Sequence, residues 1–167
     1  LVSAVERGAE EGRLIAWMRN DDEQNAIKET GIDASLPDPD DPSADPVAGV
    51  YFNNLSFSKL DWYLNADTQI GQGVKNGDGT CSYRITVTLT NIMTQEEAGK
   101  LPDYVAASAP DAARDDERLN VSLFAPTGGN ISDLTVEGTQ FGLGAATWHG
   151  IPFYSGTVDL HAGETTT

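Results

Sequence analysis

The sequence predicts a mainly β protein of the α+β class, an immunoglobulin-like β-sandwich preceded by a small helix-strand-helix segment. Three observations carry that expectation. From residue 47 onward apolar side chains recur with period two, the spacing of a half-buried strand. Clusters of Gly, Pro and Asn cut these runs into short pieces, as a many-stranded antiparallel fold requires. The chain has 167 residues, 39% of them hydrophobic, which suits one domain with a core of ordinary size.

Taken in order, residues 1–11 read as the end of a helix, broken at Gly12. Residues 13–18, RLIAWM, read as a short buried strand with Trp17 in the core. Asn20 is placed to cap a helix over residues 21–30, with Glu23 completing a capping-box-like pair. Gly31 then supplies a left-handed cap, with Ile32 beyond it for the accompanying apolar contact. Residues 1–35 form the helix-strand-helix segment, expected to pack on the main domain. Residues 36–46 hold four prolines and four aspartates, so they predict an extended loop. The prolines stand where a calcium-hand loop needs Gly and alternating ligands, so this loop is read as a linker.

The β-sandwich is expected over residues 47–167. Its first strand covers residues 47–52. In residues 59–65 alternation places Leu60, Trp62 and Leu64 on a core face, and Lys59, Asp61, Tyr63 and Asn65 on the other. The Asn76-Gly77-Asp78-Gly79 turn joins a strand near residues 67–72 to one at 82–91, where Ile85, Val87 and Leu89 alternate with polar residues. Residues 94–100 suggest a polar connection of about one helical turn. Residues 111–118 read as a charged, mobile loop. Further strands are expected at 119–125, 134–137, 139–143 and 156–161. The closing residues 160–167 read as the turn before a final strand that has only begun, leaving a sheet edge prone to pairing with another copy.

Charge narrows the function. Ten basic against 26 acidic residues give a net charge of −16, which repels phosphate backbones and anionic lipid and argues against nucleic-acid binding. No run reaches the ~18 apolar residues of a spanning helix. Cys81 is the only cysteine, so no disulfide within the chain and no thiolate metal cluster is expected. His149 and His161 lack paired ligand spacing, and no cofactor is expected. There is no Gly-x-Ser-x-Gly elbow and no phosphate-cradling Gly-rich motif. The Asn-x-Ser sequences at residues 54, 120 and 130 are read as coincidental.

The best candidate for a site is Asn53, Asn54, Ser58, Lys59 and Asp61, a polar patch for a glycan or a protein partner. The same residues also read as a turn between strands, closed by Ser58. Tyr63 is the exposed aromatic beside this patch. Trp148, in a Gly-rich loop next to His149, is the Trp expected to be exposed, and a shallow groove with Tyr63 or Trp148 exposed would favour glycan binding.

The ordered set RLIAWM, GVYFNN, SKLDWYL, ITVTLTN, LPDYV, VSLFAP and LHAGET, spread over residues 11–164, resembles the actinobacterial domain-of-unknown-function family 4012. That resemblance implies a membrane-anchored envelope protein, with this chain as its extracytoplasmic, carboxy-terminal section. The anchor would be an amino-terminal helix, consistent with a chain that starts at Leu1 without Met or a signal core. The family supplies no catalytic residues. Its members often carry a second Cys near the position of Cys81, which this chain lacks. The expected role is therefore a non-catalytic structural or binding module at the cell surface. The alternatives are a fragment of an enzyme acting on cell-wall polymer and a carbohydrate-binding adhesin module.

Overall fold

A computed structural model describes residues 2–10, 14–33, 47–126, 128–141 and 144–167. Two compact units arise, residues 1–45 and 46–167. The first contains α1 (Val2–Glu10) and α2 (Asp21–Glu29). Asn20 caps α2 as expected, its Oδ1 accepting from Asp22 N–H at 2.9 Å and Glu23 N–H at 3.3 Å. The reciprocal bond of a capping box is replaced by one from Met18 N–H, two residues before the cap, to Gln24 Oε1, one residue past Glu23, at 2.7 Å. Gly31 closes the helix at φ +72°.

The predicted strand between these helices does not form over residues 14–18. Its backbone donors go to Gly8 O, Ile32 O and the Gln24 side chain instead of to a neighbouring strand. Trp17 is 71% exposed rather than core, and residues 14–18 pair with no strand among the described residues. The Pro/Asp-rich loop falls almost wholly outside the described residues.

The second unit is mainly β, with several antiparallel sheets. Strands β1 (Gly49–Asn54), β6 (Glu117–Phe124), β10 (Ile151–Leu160) and β9 (Gly144–Trp148) lie in the order β1-β6-β10-β9. A second sheet runs β11-β5-β2, from Thr165–Thr166, Ile85–Asn91 and Leu64–Ile70. Two small hairpins complete the set, β3 (Val74–Lys75) with β4 (Cys81–Ser82), and β7 (Thr135–Val136) with β8 (Thr139–Gln140).

The predicted turn at residues 76–79 closes the hairpin that extends β2 and β5. Gly79 takes φ +91°, and Asp78 Oδ1 accepts from both the Thr80 N–H and hydroxyl, at 3.0 and 2.7 Å. Those bonds, the hydroxyl first, hold the Asp78 carboxyl below its ordinary range.

The two larger sheets share one hydrophobic cluster. Leu119, Val121 and Leu160 from the first sheet meet Leu89 from the second, with Val50, Phe52, Leu64, Val87, Leu123 and Val158 around them. Alternation explains the contribution of each strand: residues 119, 121 and 123 of β6 point inward, and residues 87 and 89 of β5 do the same.

A satellite cluster of Leu60, Met93, Ala98, Leu101 and Ala106 lies beneath the connections. It is roofed by α3 (Gln95–Ala98), where Thr94 and Glu97 form a full capping box. The one-turn helix expected there is therefore present.

Residues 60–63 depart from expectation. They form a 3₁₀ turn, Leu60–Tyr63, and strand β2 begins only at Leu64. In a 3₁₀ turn, side chains three apart share a face. Leu60 and Tyr63 therefore point into the satellite cluster, while Trp62 is thrown out to 85% exposure. The assignment of Trp62 to the core is overturned.

Strand β9 also lies where a Gly-rich loop was expected, paired to β10 from Trp148 opposite Ile151 to Gly144 opposite Ser155. At the carboxy-terminal end β11 pairs with β5, Thr165 opposite Thr90 and Thr166 opposite Leu89.

Candidate functional site

The predicted polar group separates into three places. Asn54 and Ser58 close a loop: Asn54 Nδ2 donates to Ser58 Oγ at 2.9 Å, and Asn54 Oδ1 accepts from Ser56 N–H at 2.8 Å. Ser58 Oγ accepts in turn from Leu60 N–H at 3.3 Å, starting the 3₁₀ turn. These are the bonds of a structural turn. Lys59 is exposed, gives its backbone N–H to Val105 O, and makes no ion pair with Asp61 among the described residues. Tyr63, expected to be an exposed aromatic, is half-buried against the satellite cluster. Asn53 alone of the group lies on the outward face of the four-stranded sheet, Asn54 pairing opposite the core residue Leu119.

The loop is fastened by a residue that escaped notice in the sequence. Ser56 is fully buried. Its Oγ accepts from Arg118 N–H at 2.7 Å, and its carbonyl accepts from the N–H groups of Ser108 and Ala109. Ser56→Ala should cost about 1–3 kcal/mol in urea unfolding, because it strands a donor that water cannot reach. A change below about 0.5 kcal/mol would show that water replaces the serine hydroxyl.

Residues 111–118 are a charge hub rather than a free loop. Arg118 Nε donates to Asp159 Oδ1 at 2.8 Å, Nη1 lies 3.2 Å from Asp111, and Nη2 lies 3.6 Å from Asp116. Next to it, Glu117 turns inward with the β6 core residues. It has no exposed surface, and neither carboxyl oxygen has a hydrogen-bond partner among the described residues. Burial, and then the nearby Asp61 charge, pushes its acid up to about 8. Burial likewise raises the Asp116 acid. A general acid has to come within hydrogen-bond reach of the substrate atom it protonates, and Glu117 is fully buried. The sequence signal for it was available: Glu117 has the same parity as Leu119, Val121 and Leu123.

The outward face of the four-stranded sheet brings polar and aromatic groups together, with Tyr51, Asn53 and Thr157 exposed and their neighbours half-buried. Residues opposite one another in the register share a face. Asn53, Asn120 and Thr157 thus form one row, Tyr51, Ser122 and Ser155 the next, and Phe124 and Phe153 a third. No Asp or Glu occurs in these three rows. Phe124 stacks on Phe153 with ring centroids 4.9 Å apart, and Tyr51 meets Phe124 edge-on at 5.4 Å. The Tyr51 ring lies across Gly49, where a Cβ would come within 2.6 Å of Cε2, and the ring stays 52% exposed.

Trp148 lies on the same face at the end of β9 and is 55% exposed, as expected of it. It contacts His149 edge-on at 5.1 Å, and His149 and Gly150 turn the hairpin with φ +47° and +81°. Among the described residues no group of three or more His, Cys, Asp or Glu side chains is placed to hold a metal ion.

The chain matches no family model, no curated protein and no solved structure. Among the described residues no helix is long and apolar enough to cross a membrane.

Proposed function

We propose that this chain is a non-catalytic, extracytoplasmic binding module of a bacterial envelope protein, anchored to the membrane through another part of that protein. The observation that carries the binding role is the outward sheet face, where aromatic rings and amide and hydroxyl rows stand together and the carboxylate of the adjoining row, Asp159, is ion-paired with Arg118. The envelope setting rests on the ordered resemblance to the actinobacterial domain-of-unknown-function family 4012, and an immunoglobulin-like arrangement of the two sheets belongs to the same proposal. It is supported by the core that the sheets share. The enzyme alternative gains nothing from Glu117, the most perturbed acid among the described residues, because it is closed off.

The test is sedimentation of the purified chain with insoluble cell-wall material from an actinobacterium. The chain should co-sediment, and Asn53→Ala together with Asn120→Ala should reduce the bound fraction several-fold. Equal recovery in the supernatant with and without wall material would end this reading.

A further inference from the structure

We propose that the outward face of the four-stranded sheet binds a neutral saccharide chain, laid across β1, β6 and β10 with the Tyr51 ring as its stacking platform. This rests on the reading of the chain as an envelope binding module and names the ligand class of that same face.

Charge selects the ligand. The chain carries 26 carboxylate side chains against 10 basic ones, yet the three rows that hold Asn53, Tyr51 and Phe124 contain none of the 26. The adjoining row of the face, Asp159 opposite Arg118, is closed into an ion pair. A cationic partner therefore finds no counter-charge on the three rows themselves, and an anionic polymer would meet the repulsive field of a −16 chain. A neutral polyol meets neither cost.

Geometry supplies the contacts. Tyr51 lies across Gly49, whose missing side chain leaves it room, and the residue stays half exposed to solvent. An aromatic face presents partial negative charge to the polarised C–H groups of a sugar ring. Beside it Asn53 offers an exposed amide, while half-buried Asn120 donates from Nδ2 to Ser122 Oγ at 3.3 Å, leaving the Asn120 carbonyl to accept and the Ser122 and Ser155 hydroxyls to donate, the pairing groups that vicinal sugar hydroxyls need. Rows two residues apart on a strand are separated by ~6.6–6.8 Å, a spacing that lets adjacent rows engage one or two sugar units. Trp148 extends the aromatic surface at the far edge of the same face.

The decisive experiment presents the whole chain to an array of neutral oligosaccharides of gluco-, manno-, galacto- and arabino-configuration, alongside polyanionic glycans. Binding of at least one neutral class is expected. It should fall at least tenfold in Tyr51→Ala and several-fold in Asn120→Ala, with thermal unfolding checked for each. Trp62→Ala, which removes an exposed Trp elsewhere, should bind like the parent chain. Binding to no neutral sugar overturns the inference, as does binding that is equally weakened by Trp62→Ala or restricted to polyanions. If the chain still co-sediments with cell wall while no neutral sugar binds, the ligand class falls and the binding-module reading stands. If both fail, both fall.

Discussion

Glu117→Gln is expected to remove a large pH dependence of stability that the parent chain shows between about pH 4.5 and pH 8. In the folded chain the Glu117 acid is pushed up to about 8, against an ordinary value of 4.5 for the unfolded chain. Below the lower value both folded and unfolded states hold the proton, and the group leaves stability unchanged. Between the two values only the unfolded state releases it, so stability falls by about 1.4 kcal/mol per pH unit. Above the upper value both states are ionised and the loss levels off at about 5 kcal/mol. Asp116, also raised by burial, adds in the same direction.

Glutamine keeps the shape without an ionisable proton, so urea midpoints for the variant should lie on a much flatter line and exceed the parent's at pH 8. Parallel lines for the two proteins would mean that Glu117 ionises in the folded chain as easily as in the unfolded one. The desolvation argument would then fail.

Leu60→Ala should destabilise the second unit by about 2–5 kcal/mol, since Leu60 is fully buried at the centre of the satellite cluster and its loss leaves a cavity. Trp62→Ala, two residues on, should change stability by less than about 0.5 kcal/mol, because the ring is 85% exposed. The pair is informative because the two side chains would be equivalent on a strand and are opposite on a 3₁₀ turn. Equal losses in urea unfolding would restore the strand reading of residues 59–65.

That pair also marks where the sequence could be read and where it could not. Strand β5 was legible because Ile85, Val87 and Leu89 alternate with threonines over a full seven-residue strand. The Asn76-Gly77-Asp78-Gly79 turn and the Asn20 cap were legible because their chemistry is local. Leu60, Trp62 and Leu64 fit period two as well as Leu60 and Tyr63 fit period three, and four residues are too few to choose between them. Only the packing of α3 and the 101–107 segment above Leu60 and Tyr63 decides it.

Strand β9 was missed because Gly144, Ala145 and Ala146 have little strand preference of their own, and their order comes from pairing with β10. Of the candidate site residues, Trp148 and Asn53 ended on the outward face. Asn54, Ser58 and Tyr63 became parts of the scaffold. Glu117 escaped because charge was taken as a sign of exposure, when its parity with Leu119 and Val121 was the better guide.

The resting place of Tyr51 has an evolutionary corollary. Positions 49 and 51 are coupled through the resting place of the ring, because a Cβ at 49 would sit 2.6 Å from Cε2 of Tyr51. A descendant that acquires alanine at position 49 has to lift or lose the ring, and one that loses the ring frees position 49 to vary. Aligned relatives that keep this face are therefore expected to show glycine at 49 wherever an aromatic stands at 51, and to relax both together.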